Sequence, residues 1–232
     1  MLIWMDELWI CRLGSVEYAE ANALQERVRE ARKGDELPDT LLLLEHPPVY
    51  TRGRRSSDEE LPLGSAFYEA QGIAVVEVDR GGRVTYHGPG QLVGYPVMRI
   101  GDIIGYLRTI ERAIIAALAR EGVAARGGGE RPTGVWSGER KIASIGVHVS
   151  RRVSTHGFAV NVDNDLEPFE WIVPCGMPEV AMTSLERESG RPQSLERFRE
   201  TMAAEFARAF ARRGRAVSPA QLAAALGAPV AG

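Results

Sequence analysis

The sequence predicts an α+β fold, a mixed and largely antiparallel sheet flanked by helices. Three observations predict it. Short runs rich in Val, Ile and Leu, punctuated by Gly and Pro, recur along the first two-thirds of the chain. Three of these runs follow one another across two-residue turns, the pattern of an antiparallel meander. Two longer stretches carry apolar residues at the helical period, one mid-chain and one near the C-terminus. With 232 residues, no internal repeat and no long linker, residues 1–232 read as a single domain.

The elements follow in order. Residues 8–13 (LWICRL) form a strand, and Ser15 caps a helix with Val16, Ala19, Ala23, Leu24 and Val28 on one side, ending near Gly34. The run 40–45 (TLLLLE) is continuous in apolar residues, as in a strand buried on both faces. The next stretch, HPPVYTRGRRSSDEELPLG, reads as loop. A short helix over 66–71 and a strand over 73–78 come next. Asp102 is the N-cap of a long helix that stops at Gly122. VWSG, KIASIGVHVS and STHGFAVNV make the meander, with Gly138-Glu139 and Arg151-Arg152 at its turns. Leu195, Phe198, Met202, Phe206 and Phe210 share a helix face, and Ser218-Pro219 opens a last, Ala-rich helix.

Composition narrows the functional classes. The net charge of −3, from 28 Lys+Arg and 31 Asp+Glu, gives no footprint for nucleic acid. No apolar window is long enough to span a bilayer, and the N-terminus lacks the basic start of a signal peptide, so a cytoplasmic monomer without a membrane role is expected. Two distant cysteines, Cys11 and Cys175, exclude a disulfide scaffold and a Cys-rich zinc site. His46, His87, His148 and His156 have no metal-ligand spacing, so no metal is expected.

The chemistry concentrates in the loops. Arg80-Gly81-Gly82-Arg83-Val84-Thr85-Tyr86-His87-Gly88-Pro89-Gly90 is either a pair of tight turns or a loop whose glycines let the backbone approach a ligand, and its Arg, Tyr and His favour the binding loop. Lys141 opens an otherwise apolar strand; it is either a strand-end lysine with its head in water or a base. Cys175, between Pro174 and Gly176, sits in a loop rather than on an apolar face, which favours a reactive thiol. Cys11, inside a strand, reads as core, and His46 before two prolines as structural.

Together LEHPPVYTRGRR (44–55), RGGRVTYHGPGQLVGYPV (80–97), GVWSGERKIASIG (134–146), THGFAVNVDNDLEPF (155–169) and PCGM (174–177) resemble the lipoyl(octanoyl) transferase family of lipoate biosynthesis. The resemblance implies the fold of biotin and lipoate protein ligases, with a catalytic dyad that falls on Cys175 and Lys141. It places substrate binding on Arg80 to His87, on Ser144, Ile145 and Gly146, and on His156, Gly157, Phe158 and Ala159. Phe158 stands where the family commonly has leucine, which bears on pocket depth. The implied reaction moves an octanoyl group from octanoyl-acyl carrier protein, through a Cys175 thioester, to a lysine of a lipoyl domain, and calls for no cofactor. The implied acceptors are the lipoyl domains of 2-oxoacid dehydrogenases and the glycine cleavage H protein. At ~0.8 kcal/mol per buried CH₂, an octanoyl chain gains roughly 5 kcal/mol in an apolar tunnel lined by residues such as Ile145, Val147 and Phe158. The arginines at 52, 54, 55, 80, 83, 140, 151 and 152 suit acidic protein partners. Two rivals remain: an ATP-dependent ligase of the same fold, and a non-catalytic lipoyl-domain-binding protein.

Overall fold

The structure, a computed structural model, describes residues 6–129, 133–173 and 180–227. Its centre is a sheet through which the polar meander and the apolar N-terminal strands run side by side. In spatial order the strands are β11 (Arg213–Val217), β1 (Glu7–Ser15), β2 (Asp39–Glu45), β6 (Gln91–Val97), β10 (Val153–Asn161), β9 (Arg140–Ser150), β8 (Gly134–Ser137) and β7 (Arg126–Gly127). Strand β1 runs parallel to β11 and β2, and every other pairing in this sheet is antiparallel. A second sheet holds β4 (Ala74–Glu77), β3 (Val49–Arg52) and β5 (Thr85–His87), in that order.

Helices cover both faces of the large sheet. On one side α3 (Ile103–Arg120) and α5 (Leu195–Ala209) bury Ile110, Ile114, Leu118, Phe198, Met202 and Phe206. These pack with Leu8, Ile10, Leu41 and Leu43. The opposite face presents the alternate residues Trp9, Cys11, Leu42 and Leu44 to α1 (Tyr18–Lys33), through Ala21, Val28 and Ala31. Period-two alternation between two apolar layers explains why the run Leu41–Leu44 has no polar interruption. Cys11 is core, as expected, and burial pushes its thiol up to about 11, so it stays protonated at neutral pH. A third, aromatic cluster of Tyr50, Tyr68, Tyr86 and Phe169 sits on the small sheet.

Two local expectations change, and one strand was not foreseen. Ser15 is no helix cap: it is the last residue of β1, held opposite Glu45, and the helix begins beyond it with Glu17 at the cap position. The stretch after His46 contains strand β3, which its prolines and arginines disguise. Arg213–Val217 forms β11, a strand without an apolar run because its exposed edge needs none. By contrast Asp102 caps α3 as expected, its carboxylate accepting from the N–H groups of Ile104 and Gly105 at 3.0 Å each. The Arg151-Arg152 turn takes positive φ at both positions (49° and 67°), as a tight two-residue hairpin requires. No helix among the described residues is long and apolar enough to cross a membrane.

One close contact sets the middle of the sheet. Phe158 in β10 lies directly across from Gly94 in β6, and a Cβ at Gly94 would fall 2.2 Å from the Phe158 ring. Gly94→Ala is therefore expected to destabilise the protein by about 1–3 kcal/mol in urea unfolding. Adding Phe158→Leu should recover part of that loss; strictly additive losses would show that the ring is not what the new methyl meets.

Candidate active site

A cleft of about 590 Å³ opens where the two sheets meet. Ser144 to Val147 of β9 and His156 to Ala159 of β10 line it, as do the 80–85 loop, Tyr18, Tyr95, Ile103, Leu107, Thr133 and Lys141. The glycines make this closeness possible. Gly81 N–H donates to the Val147 carbonyl at 3.0 Å, so the loop lies directly on β9. A Cβ at Gly146 would stand 2.8 Å from the Gly81 oxygen, a distance no side chain tolerates.

The arginines of this loop hold it rather than reach out of it. Arg80 is buried, and its Nη2 donates to the Thr51 carbonyl (2.8 Å) and hydroxyl (2.7 Å) of β3. Arg83 pairs with the buried Glu60, whose other oxygen accepts from the Val84 N–H at 3.0 Å. Arg52 and Arg140 are likewise engaged internally, with Asp58 and Glu77 in one case and Glu188 in the other. Of the arginine clusters, Arg54, Arg55, Arg151 and Arg152 keep exposed side chains, as do Arg83 and Arg140 despite their pairing.

Imidazoles and phenols form the polar part of the wall. His46, at the back, donates Nδ1–H to the Val16 carbonyl and accepts from the Tyr95 hydroxyl, both at 2.7 Å. Burial pushes its pKa down to about 4, so it is neutral and structural, as its sequence context implied. His87 hydrogen-bonds through Nδ1 to Gln91 Oε1 at 2.7 Å, and burial drives it down to about 3. His156 takes φ = 56° and donates Nε2–H to Asp79 at 2.7 Å, with Tyr18 hydroxyl 3.4 Å from Nδ1. Burial lowers its pKa, and Asp79 works against that. The Tyr18 hydroxyl is pushed up to about 12, again by burial.

Lys141 is not a strand-end lysine with its head in water: it is 1% exposed. Its Nζ lies 5.7 Å from the centre of the Trp136 ring. Gly134, at φ = 150°, lets β8 pass so close that a Cβ would stand 2.7 Å from Lys141 Cε. The β8–β9 ladder slips between Val135 and Trp136, next to Lys141, and such a bulge bends the strand and re-aims its side chains. On its other side, Lys141 N–H donates to Ala181 and its carbonyl accepts from Thr183, each at 2.9 Å.

Most of the residues expected to bind substrate meet in this cleft: Arg80 to Thr85, His87, Ser144 to Gly146, and His156 to Ala159. Ile145, Val147 and Phe158 line it too. Tyr86 does not. Strand alternation turns it from Thr85 and His87 towards Tyr50 and Phe169, with ring centres 5.6 and 5.5 Å away. Cys175 lies outside the described residues, although both flanks are tied, Val173 N–H to Glu60 and Ala181 to Lys141. Tyr18, Tyr95, Ile103 and Leu107 were not foreseen. Tyr95 at least sits in the glycine-rich block, whereas Tyr18, Ile103 and Leu107 come from two helices that only packing brings here.

A family model described as "Lipoyl protein ligase A/B catalytic domain" matches residues 17–207. The chain is 47% identical over 205 residues to a protein of Solibacter usitatus named Octanoyltransferase, covering 86% of this chain and 91% of that one. It is 50% identical over 186 residues to an Octanoyltransferase of Acidothermus cellulolyticus, at 77% and 80% coverage. A Myxococcus xanthus Octanoyltransferase is 43% identical over 216 residues; the match takes in 89% of this chain and 60% of the longer relative. Among solved structures, a lipoate-protein ligase A bound with ATP superposes with a TM-score of 0.74 at 19% identity, covering 95% and 92% of the two chains. The bipartite lipoate protein ligase of Thermoplasma acidophilum gives 0.72 at 18%, covering 96% and 90%. At these identities the two structures speak for the fold, while the family match spans the cleft from Tyr18 to the helix behind Phe158. The chain belongs to the lipoyl protein ligase A/B catalytic domain family.

Proposed function

We propose that this chain transfers an octanoyl group from octanoyl-acyl carrier protein to a lysine of a lipoyl domain, by way of a thioester on Cys175. The observation that carries the reading is Lys141, buried in the cleft wall and bracketed through its own backbone by Ala181 and Thr183, just past the Cys175 segment. The Octanoyltransferase relatives support the acyl group. The acceptors are the lipoyl domains of 2-oxoacid dehydrogenases and the glycine cleavage H protein, met by a cytoplasmic monomer.

In the first step the Cys175 thiolate attacks the donor carbonyl, and a sulfur–carbon bond forms as the carrier's carbon–sulfur bond breaks. The carrier sulfur leaves as a thiol with a proton from the Lys141 ammonium, which leaves that amine neutral for the second step. A free thiol is only a few per cent ionised near neutrality, and the role of the Lys141 ammonium in this reading is to raise the thiolate fraction. In the second step the lipoyl-domain amine attacks the enzyme thioester and the carbon–sulfur bond breaks. The amine's proton passes by way of Lys141 to the departing Cys175 sulfur. Thioester exchange is nearly balanced and amide formation is downhill, so neither step uses ATP. Backbone N–H groups of Ser144–Gly146 or of the Cys175 loop hold the oxyanion.

Incubation with octanoyl-acyl carrier protein and an unmodified lipoyl domain, without ATP, tests this by intact mass spectrometry. The expected products are an octanoylated lipoyl domain and an enzyme adduct that is no longer a thioester in Cys175→Ser. Transfer that needs ATP and free acid and survives Cys175→Ala would replace the reading with a ligase. Binding of a lipoyl domain without any turnover would leave a binding protein. Lys141→Ala should cut kcat by roughly 10²–10⁴-fold and raise the pH midpoint of Cys175 alkylation. An unmoved midpoint would limit Lys141 to proton transfer.

Two buried imidazoles, His87 in the cleft wall and His46 behind it, predict the acid limit of the folded enzyme. His46 and His87 fall to about 4 and about 3, from an ordinary 6.5, because burial disfavours their charged forms. Below 6.5 the unfolded chain binds protons that the fold refuses, so stability is full above that value and drains as pH falls. Each imidazole should cost roughly 3 kcal/mol between pH 6.5 and pH 4. Urea unfolding across that range, with His87→Gln expected to flatten the slope, checks it.

A further inference from the structure

One buried hydrogen-bond chain links the two walls of the cleft, and its direction is fixed at one end. The Thr183 carbonyl can only accept, so the Asn161 atom 3.0 Å from it is the amide nitrogen. That turns Asn161 Oδ1 towards Gln91 Nε2, which donates to it at 2.9 Å and to the Tyr86 carbonyl at 3.2 Å. Gln91 Oε1 is left to accept, and the atom facing it at 2.7 Å is His87 Nδ1, which must carry the proton. His87 therefore keeps an unprotonated Nε2 on a ring that lines the cleft.

The same Thr183 residue turns its N–H to the Lys141 carbonyl at 2.9 Å. Strand β10 ends at Asn161, so Ala181–Thr183 takes over as the neighbour of β9 at Lys141, and Asn161 ties it down. Gln91, Asn161, Thr183 and Lys141 are each 1% exposed, so no water competes for these bonds.

We propose that Asn161 and Gln91 are positioning residues for the transfer reaction, holding Lys141 on one wall and the His87 tautomer on the other through this single chain. The inference rests on the acyl-transfer reading above. Neither side chain lines the cleft, so their effect belongs in kcat rather than in KM.

The test uses the full chain with octanoyl-acyl carrier protein and lipoyl domain. Asn161→Asp keeps the shape and the acceptor but puts an oxygen against the Thr183 carbonyl. Gln91→Met keeps the length and removes all three of its side-chain bonds. Each folded variant is expected to lose roughly 10- to 100-fold in kcat with KM within about twofold of wild type. ¹⁵N spectra should place the His87 proton on Nδ1 in the wild type and lose that signature in Gln91→Met, while Gln91→Glu, which keeps the acceptor, should restore it. These spectra require no turnover and read the chain even if Asn161→Asp folds poorly. A wild-type His87 protonated on Nε2, or folded variants with wild-type kcat, would overturn the positioning role while transfer itself stands. A wild type that transfers nothing would instead overturn the functional reading, and this role with it.

Discussion

Everything in the cleft depends on one backbone contact, the seating of the glycine-rich loop on β9. The Gly81 N–H bond to Val147 and the buried Arg80 anchor on Thr51 join the large sheet to the small one along a line with no room for Cβ atoms. Side chains cannot mediate a junction that tight, so the loop has to be glycine where it touches and arginine where it is tethered. The cleft is the space left beside that junction. Its walls belong to two sheets with separate apolar clusters, the smaller one dominated by aromatic residues, and the loop ties them together.

The second constraint is charge. An acyl chain gains from burial only where the surrounding polar groups are already satisfied, since an unpaired buried donor or acceptor costs about 1–3 kcal/mol. His46, Tyr95, His87 and Gln91 meet this condition by pairing among themselves and with backbone. Burial keeps both imidazoles neutral. Half of the arginines that read as a docking surface, Arg52, Arg80, Arg83 and Arg140, bond within the chain. Arg54, Arg55, Arg83, Arg140, Arg151 and Arg152 keep exposed guanidinium groups, and any attraction these exert on an acidic surface is sensitive to salt.

Much of this was legible in the chain itself. The meander, the capped helix at Asp102 and the two-faced Leu41–Leu44 strand follow from period and turn chemistry, which act locally. The loop at 80–87 was legible because glycine, arginine and histidine are out of place among strand formers, whereas Ser144–Gly146 and Gly157–Ala159 came from the family resemblance. Tyr86 was misplaced because a quoted motif has no faces: alternation sends it to the opposite side from His87. Strand β11 and the roles of Tyr18 and Leu107 exist only through tertiary contact, and nothing local marks them. Lys141 carried two readings in sequence, and its burial removes the one with its head in water.

That burial needs its own cause, because a cation withdrawn from water is costly unless its surroundings are built for it. Lys141 stands where the ladder changes partners on both sides at once. Towards β8 the register slips, and Gly134 clears the space for the lysine stem beside Trp136. Towards β10 the strand has ended, and Ala181–Thr183 closes the gap with hydrogen bonds to the lysine's own N–H and carbonyl. A regular sheet would have supplied neither the bend nor the opening. The irregularity concentrates at the residue expected to move protons, and Glu188, bonded to Ser137 and Thr183 and paired with Arg140, clamps it from outside. The sheet gives up regular pairing at this point and regains backbone satisfaction from a segment that also leads to Cys175. Placement of the lysine and placement of the thiol's flank are thus one structural problem with one solution.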